Sequence, residues 1–83
     1  MIARRERLAG FSGATHEVLT VEIDGKRFVY IEFNGEEDEV ELLKAILAAT
    51  DLGMGLYIRS NGTPPNWLSK GLGGLEVRLD RGG

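Results

Sequence analysis

The sequence predicts a small α+β domain in which one amphipathic helix packs on a small mixed four-stranded sheet. Three observations indicate this class: two alternating segments flank an Asp-Gly pair, an apolar helical repeat follows, and two more alternating segments come after it. A chain of 83 residues has room for one such domain. We expect an N-terminal arm over residues 1–16, either flexible or a short helix, and a single domain over residues 17–83.

The arm carries the basic cluster of the chain, formed by Arg4, Arg5 and Arg7. Gly10 and Gly13 follow soon after and interrupt any helix that begins near the N-terminus. The net charge of the chain is −3, which gives it no general attraction to nucleic acid. The cluster is therefore interpreted as a solvated tail, and nucleic acid is not an expected partner.

Two alternating segments, residues 17–23 (EVLTVEI) and 27–33 (RFVYIEF), flank Asp24-Gly25. This pattern is typical of a β-hairpin, because an Asp-Gly pair suits the tight turn. Two registers are open. With a two-residue turn, Leu19, Val21 and Ile23 lie on the same face as Phe28 and Tyr30.

A three-residue loop with a bulge at Gly25 is the second register, and it pairs Glu22 with Lys26. It gathers aliphatic side chains on one face, namely Leu19, Val21, Val29 and Ile31. We favour this register because it also pairs opposite charges on the other face.

Large apolar side chains remain on the sheet face opposite the helix: Val18, Phe28 and Tyr30. A helix covers only one face of a sheet, so this second face is open unless the arm or another chain lies on it. We expect these three residues to contact a protein partner.

The next segment, residues 34–52, predicts an amphipathic helix that ends before Gly53. Asn34 and Glu37 have the spacing of a capping box, and the acidic run over residues 36–39 suits the helix N-terminus better than a metal site. The apolar side chains expected to face the sheet are Val40, Leu43 and Leu47, at positions i, i+3 and i+7. Leu42 and Ile46 are expected to widen this stripe.

Two more strands are predicted over residues 55–60 and 75–80, with an irregular stretch between them. Trp67 in that stretch is expected to plug one end of the core. The last strand is apolar on one side, so we expect it to pair beside the first strand at the centre of the sheet.

Residues that could carry chemistry are few. The chain has no cysteine, which excludes disulfides, thiolate catalysis and cysteine-ligated zinc. His16 has no partner that the sequence spacing can assign, so it is interpreted as an exposed loop residue. The glycine-rich segments 53–55 and 71–75 precede strands rather than helices, so they do not match a phosphate-binding loop. We expect no enzyme, no cofactor and no metal site. With no apolar run long enough for a membrane span, we also expect a cytoplasmic protein with no membrane partner.

The C-terminal residues 75–83 (LEVRLDRGG) resemble the end of the ubiquitin-like β-grasp family, which includes the small sulfur carriers. The element order over residues 17–83 resembles the same family. The resemblance implies a β-grasp-like ββαββ fold. It also implies a carrier function, in which an activating enzyme uses ATP to adenylate the carboxylate of Gly83. The acyl group would then pass to a thiol and a lysine, or become a sulfur-donating thiocarboxylate.

In that function Gly82 and Gly83 would thread the narrow channel of the activating enzyme, because glycine has no Cβ. Arg81 would steer the tail to an acidic groove, and the face around Phe28 and Tyr30 would dock the partner.

A second hypothesis is a non-enzymatic protein-binding module, such as a phage or bacterial inhibitor or adaptor, that acts through the open sheet face. In both hypotheses the partner is a larger protein, either an activating enzyme or an inhibited target.

Overall fold

A computed structural model of the chain describes residues 2–70 and 73–81, apart from the side chains of Ser69 and Lys70. The described residues form five strands, one α-helix and two short 3₁₀ turns. In chain order these are β1 (Arg4–Ala9), β2 (Thr15–Ile23), β3 (Lys26–Phe33), a 3₁₀ turn (Glu36–Asp38), α1 (Glu39–Leu52), β4 (Gly55–Ser60), a second 3₁₀ turn (Asn66–Lys70) and β5 (Val77–Arg81). The predicted α+β class, with one helix on a mixed sheet, is confirmed.

The strands lie in the sheet in chain order, β1-β2-β3-β4-β5. The first two pairings are antiparallel and the last two are parallel. Parallel neighbours need a crossover connection, and α1 supplies it between β3 and β4. The helix therefore packs across β3 and β4 on one face of the sheet.

The sheet has five strands rather than the predicted four, because part of the expected arm is a strand. β1 pairs with β2 from Arg4 opposite Thr20 to Ala9 opposite Thr15. Gly10 and Gly13 do not interrupt a helix. They form the turn between the two strands, where Gly10 N–H donates to Ala14 O at 2.8 Å and Gly13 has φ +90°. The ββαββ order thus gains a strand at its start.

The position of the last strand also differs from the prediction. β5 does not pair with the first strand of the hairpin at the centre of the sheet but lies beyond β4. The reason is that β2 is already paired with β1 on one side and β3 on the other, so neither of its edges is free.

The β2–β3 hairpin takes the two-residue turn, so the favoured three-residue loop is wrong. Ile23 lies opposite Lys26, and Asp24 and Gly25 have φ of 53° and 80°. Positive φ at both positions is the type I′ turn, whose twist matches that of the strands. As a result Leu19 and Val21 share a face with Phe28, while Val18 turns to the helix side.

The core lies between α1 and the sheet, and its buried residues are Val29, Phe33, Leu42, Ala49, Leu56 and Ile58. The predicted inward stripe of the helix is wrong at Val40, Leu43 and Leu47, which are exposed. It is confirmed at Leu42, which is buried, and at Ile46, which packs against the core. The small side chains of Ala48 and Ala49 are also buried, so they lie on the inner side of the helix.

Both ends of α1 are fixed by local contacts. The predicted capping box does not form. Instead Asn34 N–H donates to Asp38 Oδ2 at 2.8 Å, and a 3₁₀ turn precedes the helix. Gly53 ends the helix in the left-handed conformation with φ 68°. Trp67 packs against the core as predicted, and its Nε1–H donates to Glu39 Oε1 at 3.1 Å.

The burial of the helix gives a test with two leucines. Leu42 is 0% exposed and Leu47 is 71% exposed. We expect Leu42→Ala to lower the free energy of unfolding by about 2–5 kcal/mol, because it leaves a cavity in the core. Leu47→Ala should change it by less than about 0.5 kcal/mol, since alanine keeps the helix propensity. Urea denaturation measures both values, and equal losses would contradict the rotation of the helix.

Candidate functional site

The sheet face opposite α1 is the candidate functional site, and no described helix packs on it. We call it the open face. Strand alternation and the observed registers place on it Arg5, Leu19, Val21, Phe28, Tyr30, Glu32, Tyr57, Arg59, Arg78 and Asp80.

Two tyrosines lie at the centre of the open face. Tyr30 of β3 and Tyr57 of β4 are opposite each other in the parallel register. Their rings are stacked, with centroids 5.8 Å apart and an angle of 21° between the ring planes. This offset arrangement is favourable for aromatic pairs, so the two rings support each other in fixed positions.

Each tyrosine hydroxyl donates to a carboxylate on the same face. Tyr30 Oη donates to Glu32 Oε1 at 3.1 Å, and Tyr57 Oη donates to Asp80 Oδ2 at 2.7 Å. Burial is the main cause that raises the pKa of Tyr30 above 10.0, and the hydrogen bond to Glu32 is the second cause. The hydrogen bond to Asp80 is the main cause that raises the pKa of Tyr57 above 10.0. Both hydroxyls therefore stay protonated at neutral pH and act as neutral donors.

Phe28 lies on the open face but is only 1% exposed. The guanidinium of Arg78 sits 5.1 Å from the centre of its ring, a cation–π contact that covers the ring from solvent. On β4 its neighbour is Gly55, where any Cβ would meet the ring. Phe28 therefore anchors the arginine and does not itself present a contact surface.

Of the three residues predicted to form the open face, the structure brings two together. Tyr30 is half-buried at its centre, and Phe28 lies beside it beneath Arg78. Val18 is on the opposite face, where it packs against the core and lines a groove of about 530 Å³ between β2 and α1. Val18 lies on the helix side because the hairpin takes the two-residue turn, and a register shift of one residue moves a side chain to the other face.

Arg81 ends β5 and is exposed, and alternation along the strand turns its side chain to the helix side rather than to the open face. Gly82 and Gly83 lie outside the described residues. Of the predicted tail residues, Arg81 is the one that the structure describes, and it does not lie on the open face.

Sequence reasoning missed Tyr57 as a site residue. The alternation in GLYIRS points Tyr57 away from Leu56 and Ile58, so its outward direction was readable. Its place beside Tyr30 was not, because the parallel register comes from the crossover and leaves no local signal.

A second polar cluster joins the β1–β2 turn to the end of α1. The Asp51 carboxylate accepts hydrogen bonds from Ser12 N–H at 2.8 Å, Ser12 Oγ at 2.7 Å and His16 Nε2 at 2.6 Å. His16 is on β2 with 23% of its side chain exposed, so its interpretation as an exposed loop residue is wrong.

This cluster contains serine, histidine and aspartate, but its order is not that of a nucleophilic triad. In a triad the histidine stands between the serine and the carboxylate and takes the serine proton. Here the carboxylate stands in the middle, so Ser12 Oγ donates to Asp51 rather than to a histidine nitrogen. The arrangement ties the turn to the helix. The backbone does the same, since Phe11 N–H donates to Asp51 O at 2.9 Å.

Hydrogen bonds from His16, and then from Ser12, lower the pKa of Asp51 from 3.8 to about 2. The carboxylate therefore stays charged over nearly the whole acid range, and a charged acceptor strengthens the hydrogen bonds that His16 and Ser12 donate to it.

Within residues 2–70 and 73–81 there is no group of three or more histidine, aspartate or glutamate side chains placed to hold a metal ion. In the same part of the chain no helix has the length and apolar character needed to cross a membrane. Comparisons of the chain with protein-family models, curated proteins and solved structures gave no match.

The contact between Phe28 and Gly55 gives a stability test. A Cβ on Gly55 would lie 2.5 Å from the Phe28 ring, which is 1% exposed, and 3.2 Å from the backbone oxygen of Glu76. We expect Gly55→Ala to lower the free energy of unfolding by about 1–3 kcal/mol. Gly74→Ala is the control, because a Cβ there meets no described atom within 4 Å. Its effect should stay within about 0.5 kcal/mol in the same urea titration.

The lowered pKa of Asp51 gives a pH test. A carboxyl whose pKa is lower in the folded state stabilises the fold above its unfolded value, and this contribution is lost as the pH falls. The difference in unfolding free energy between wild type and Asp51→Asn should be full above pH 3.8 and shrink toward pH 2. Denaturation curves over this range measure it, and a difference that does not change with pH would contradict the assignment.

Proposed function

We propose that the protein is a non-enzymatic protein-binding module that docks a larger protein on its open face. The stacked pair of Tyr30 and Tyr57 carries the proposal, because it puts two aromatic side chains at the centre of a sheet face on which no described helix lies. Tyrosine is enriched among the residues that contribute most to protein–protein binding, and such residues cluster at the centre of an interface.

The rim of the open face supports the same function. Glu32 and Arg59 lie opposite each other in the register and are exposed, and Arg5 is exposed beside Leu19 on the β1 side. Charges of both signs therefore surround the aromatic centre. A polar rim of this kind sets orientation and speeds the encounter between partners, while the apolar centre provides affinity.

The side chains of the open face are held in place before any partner arrives. The Tyr57 hydroxyl is fixed by Asp80, and the Arg78 guanidinium is fixed over the Phe28 ring. Ordering side chains on binding costs free energy, so a surface that is already ordered binds with a smaller loss. This favours a partner whose surface is itself folded and complementary, such as an enzyme that the module inhibits or adapts.

The carrier hypothesis from the resemblance stays a prediction that depends on Gly82 and Gly83. A chain that lacks both glycines separates the two functions. Under our proposal it binds the partner with unchanged affinity, because the proposed contacts are made by residues of β3 and β4 such as Tyr30 and Tyr57. Loss of binding in that variant would instead support the carrier function.

The proposal is tested with Tyr57→Ala, which removes one ring of the central pair. The partner is first recovered from the producing cells with the wild-type protein and identified by mass spectrometry. We expect Tyr57→Ala to weaken its binding at least about tenfold, since a central tyrosine typically contributes ~2 kcal/mol or more. Isothermal titration calorimetry with the purified partner measures the change.

Leu47→Ala is the matched control, because Leu47 is an exposed apolar side chain on the helix side of the molecule. It should bind the partner like wild type, and circular dichroism checks that both variants are folded. If Leu47→Ala weakens binding while Tyr57→Ala does not, the partner docks on the helix side and the proposal is wrong.

A further inference from the structure

The outer edge of β5 is the basis of a further inference. Leu56 N–H donates to Glu76 O at 2.8 Å, which sets the phase of the parallel ladder between β4 and β5. Along a strand the backbone groups point alternately to its two sides. In this phase the N–H and C=O groups of Val77, Leu79 and Arg81 point away from β4, and no described strand accepts them.

We propose that two copies of this chain pair through β5, antiparallel and about a two-fold axis at Leu79, so that their sheets form one continuous sheet. The outward backbone groups match this arrangement. Leu79 exchanges both of its hydrogen bonds with Leu79 of the second copy, and Val77 exchanges both with Arg81. The contact is closed by its own symmetry and leaves no β5 edge for a third copy.

Charge selects this register among the possible ones. A two-fold axis perpendicular to the sheet must pass through a residue position, and the three inner positions of β5 are Arg78, Leu79 and Asp80. An axis at Leu79 puts Arg78 opposite Asp80 twice, on the open face. An axis at Arg78 puts that arginine opposite itself, and an axis at Asp80 does the same with the aspartate. Opposite charges directly across a strand pair stabilise it and like charges destabilise it, so of these three registers the one centred on Leu79 is favoured.

Apolar contacts favour the same register. Leu79 is 40% exposed on the helix side of β5, and in this register it lies directly beside Leu79 of the second copy. Next to it is a groove of about 330 Å³ lined by Pro64, Pro65 and Leu68. The second copy would cover this apolar surface.

The opposite edge of the sheet is built against self-pairing. β1 reads RRERLA, and an antiparallel pair of β1 strands centred on Glu6 puts Arg5 opposite Arg7, while one centred on Arg7 puts that arginine opposite itself. Glu6 is already held by Thr20 and Arg27 of its own chain. Charged residues on an edge strand are a common means of preventing such pairing. The chain therefore blocks one edge and leaves the other self-complementary.

The contact of one short strand with its copy is small for an interface, so the dimer should be reversible and depend on concentration. It goes beyond the proposed function, because it uses the strand edge and needs no other protein. It would also join the two open faces side by side, so that a repetitive or dimeric partner could bind both at once.

The test is a charge exchange measured by sedimentation equilibrium over a concentration series of the full chain. Wild type should show a monomer–dimer equilibrium. Asp80→Arg alone and Arg78→Asp alone each put like charges opposite one another, and each should weaken self-association on the order of tenfold or more. An equimolar mixture of the two variants restores both opposite-charge pairs, so it should form a heterodimer.

Arg78 and Asp80 also contact Phe28 and Tyr57 in their own chain, so either variant could lose the dimer by misfolding. The mixture separates the two causes, because misfolded variants would not form a heterodimer. Leu79→Pro is an independent variant: it removes an outward N–H that β4 does not use, and it should abolish the dimer. Arg5→Asp on the far edge should leave the dimer unchanged. A wild type that stays monomeric throughout overturns the proposal. So does a mixture that stays monomeric, or a dimer that survives Leu79→Pro.

Discussion

β2 is hydrogen-bonded on both sides, to β1 and to β3, and this pairing constrains the rest of the sheet. A last strand that would otherwise enter beside β2 has no free edge there and pairs with β4 instead. The helix crosses β3 and β4, so these two strands become the centre of the sheet and their outward residues the centre of the open face. The two edges are then β1 and β5, which carry very different charge patterns.

The turn after β1 is tied to Asp51 at the end of α1. β1 is short, rich in arginine and bonded to the sheet on one side only among the described strands. The Asp51 carboxylate holds Ser12 in the turn that follows β1, and His16 at the start of β2. A side chain far along the sequence thus contacts the β1–β2 hairpin, whose pairing leaves β2 without a free edge. The cluster resembles a catalytic set in composition, but its geometry serves the fold.

The open face and the β5 edge share two residues. Asp80 accepts the Tyr57 hydroxyl, and Arg78 covers the Phe28 ring, so both are ordered by the central strands. The same two side chains are the ones that face a second copy across the edge. A change in either residue would therefore act on partner docking and on self-association together. Side chains that are already ordered lose little entropy in either contact, which makes both surfaces compatible with modest interface areas.

The sequence by itself determined the α+β class, the hairpin at Asp24-Gly25, the helix, and the core position of Trp67. Each of these depends on spacing within a few residues, where backbone and side-chain preferences act directly. The tertiary structure decided the hairpin register, the buried side of the helix, the neighbour of β5 and the contact of His16 with Asp51, which are 35 residues apart. Those outcomes depend on which surfaces compete for the same strand edge or the same sheet face, and that competition exists only once the whole chain is packed.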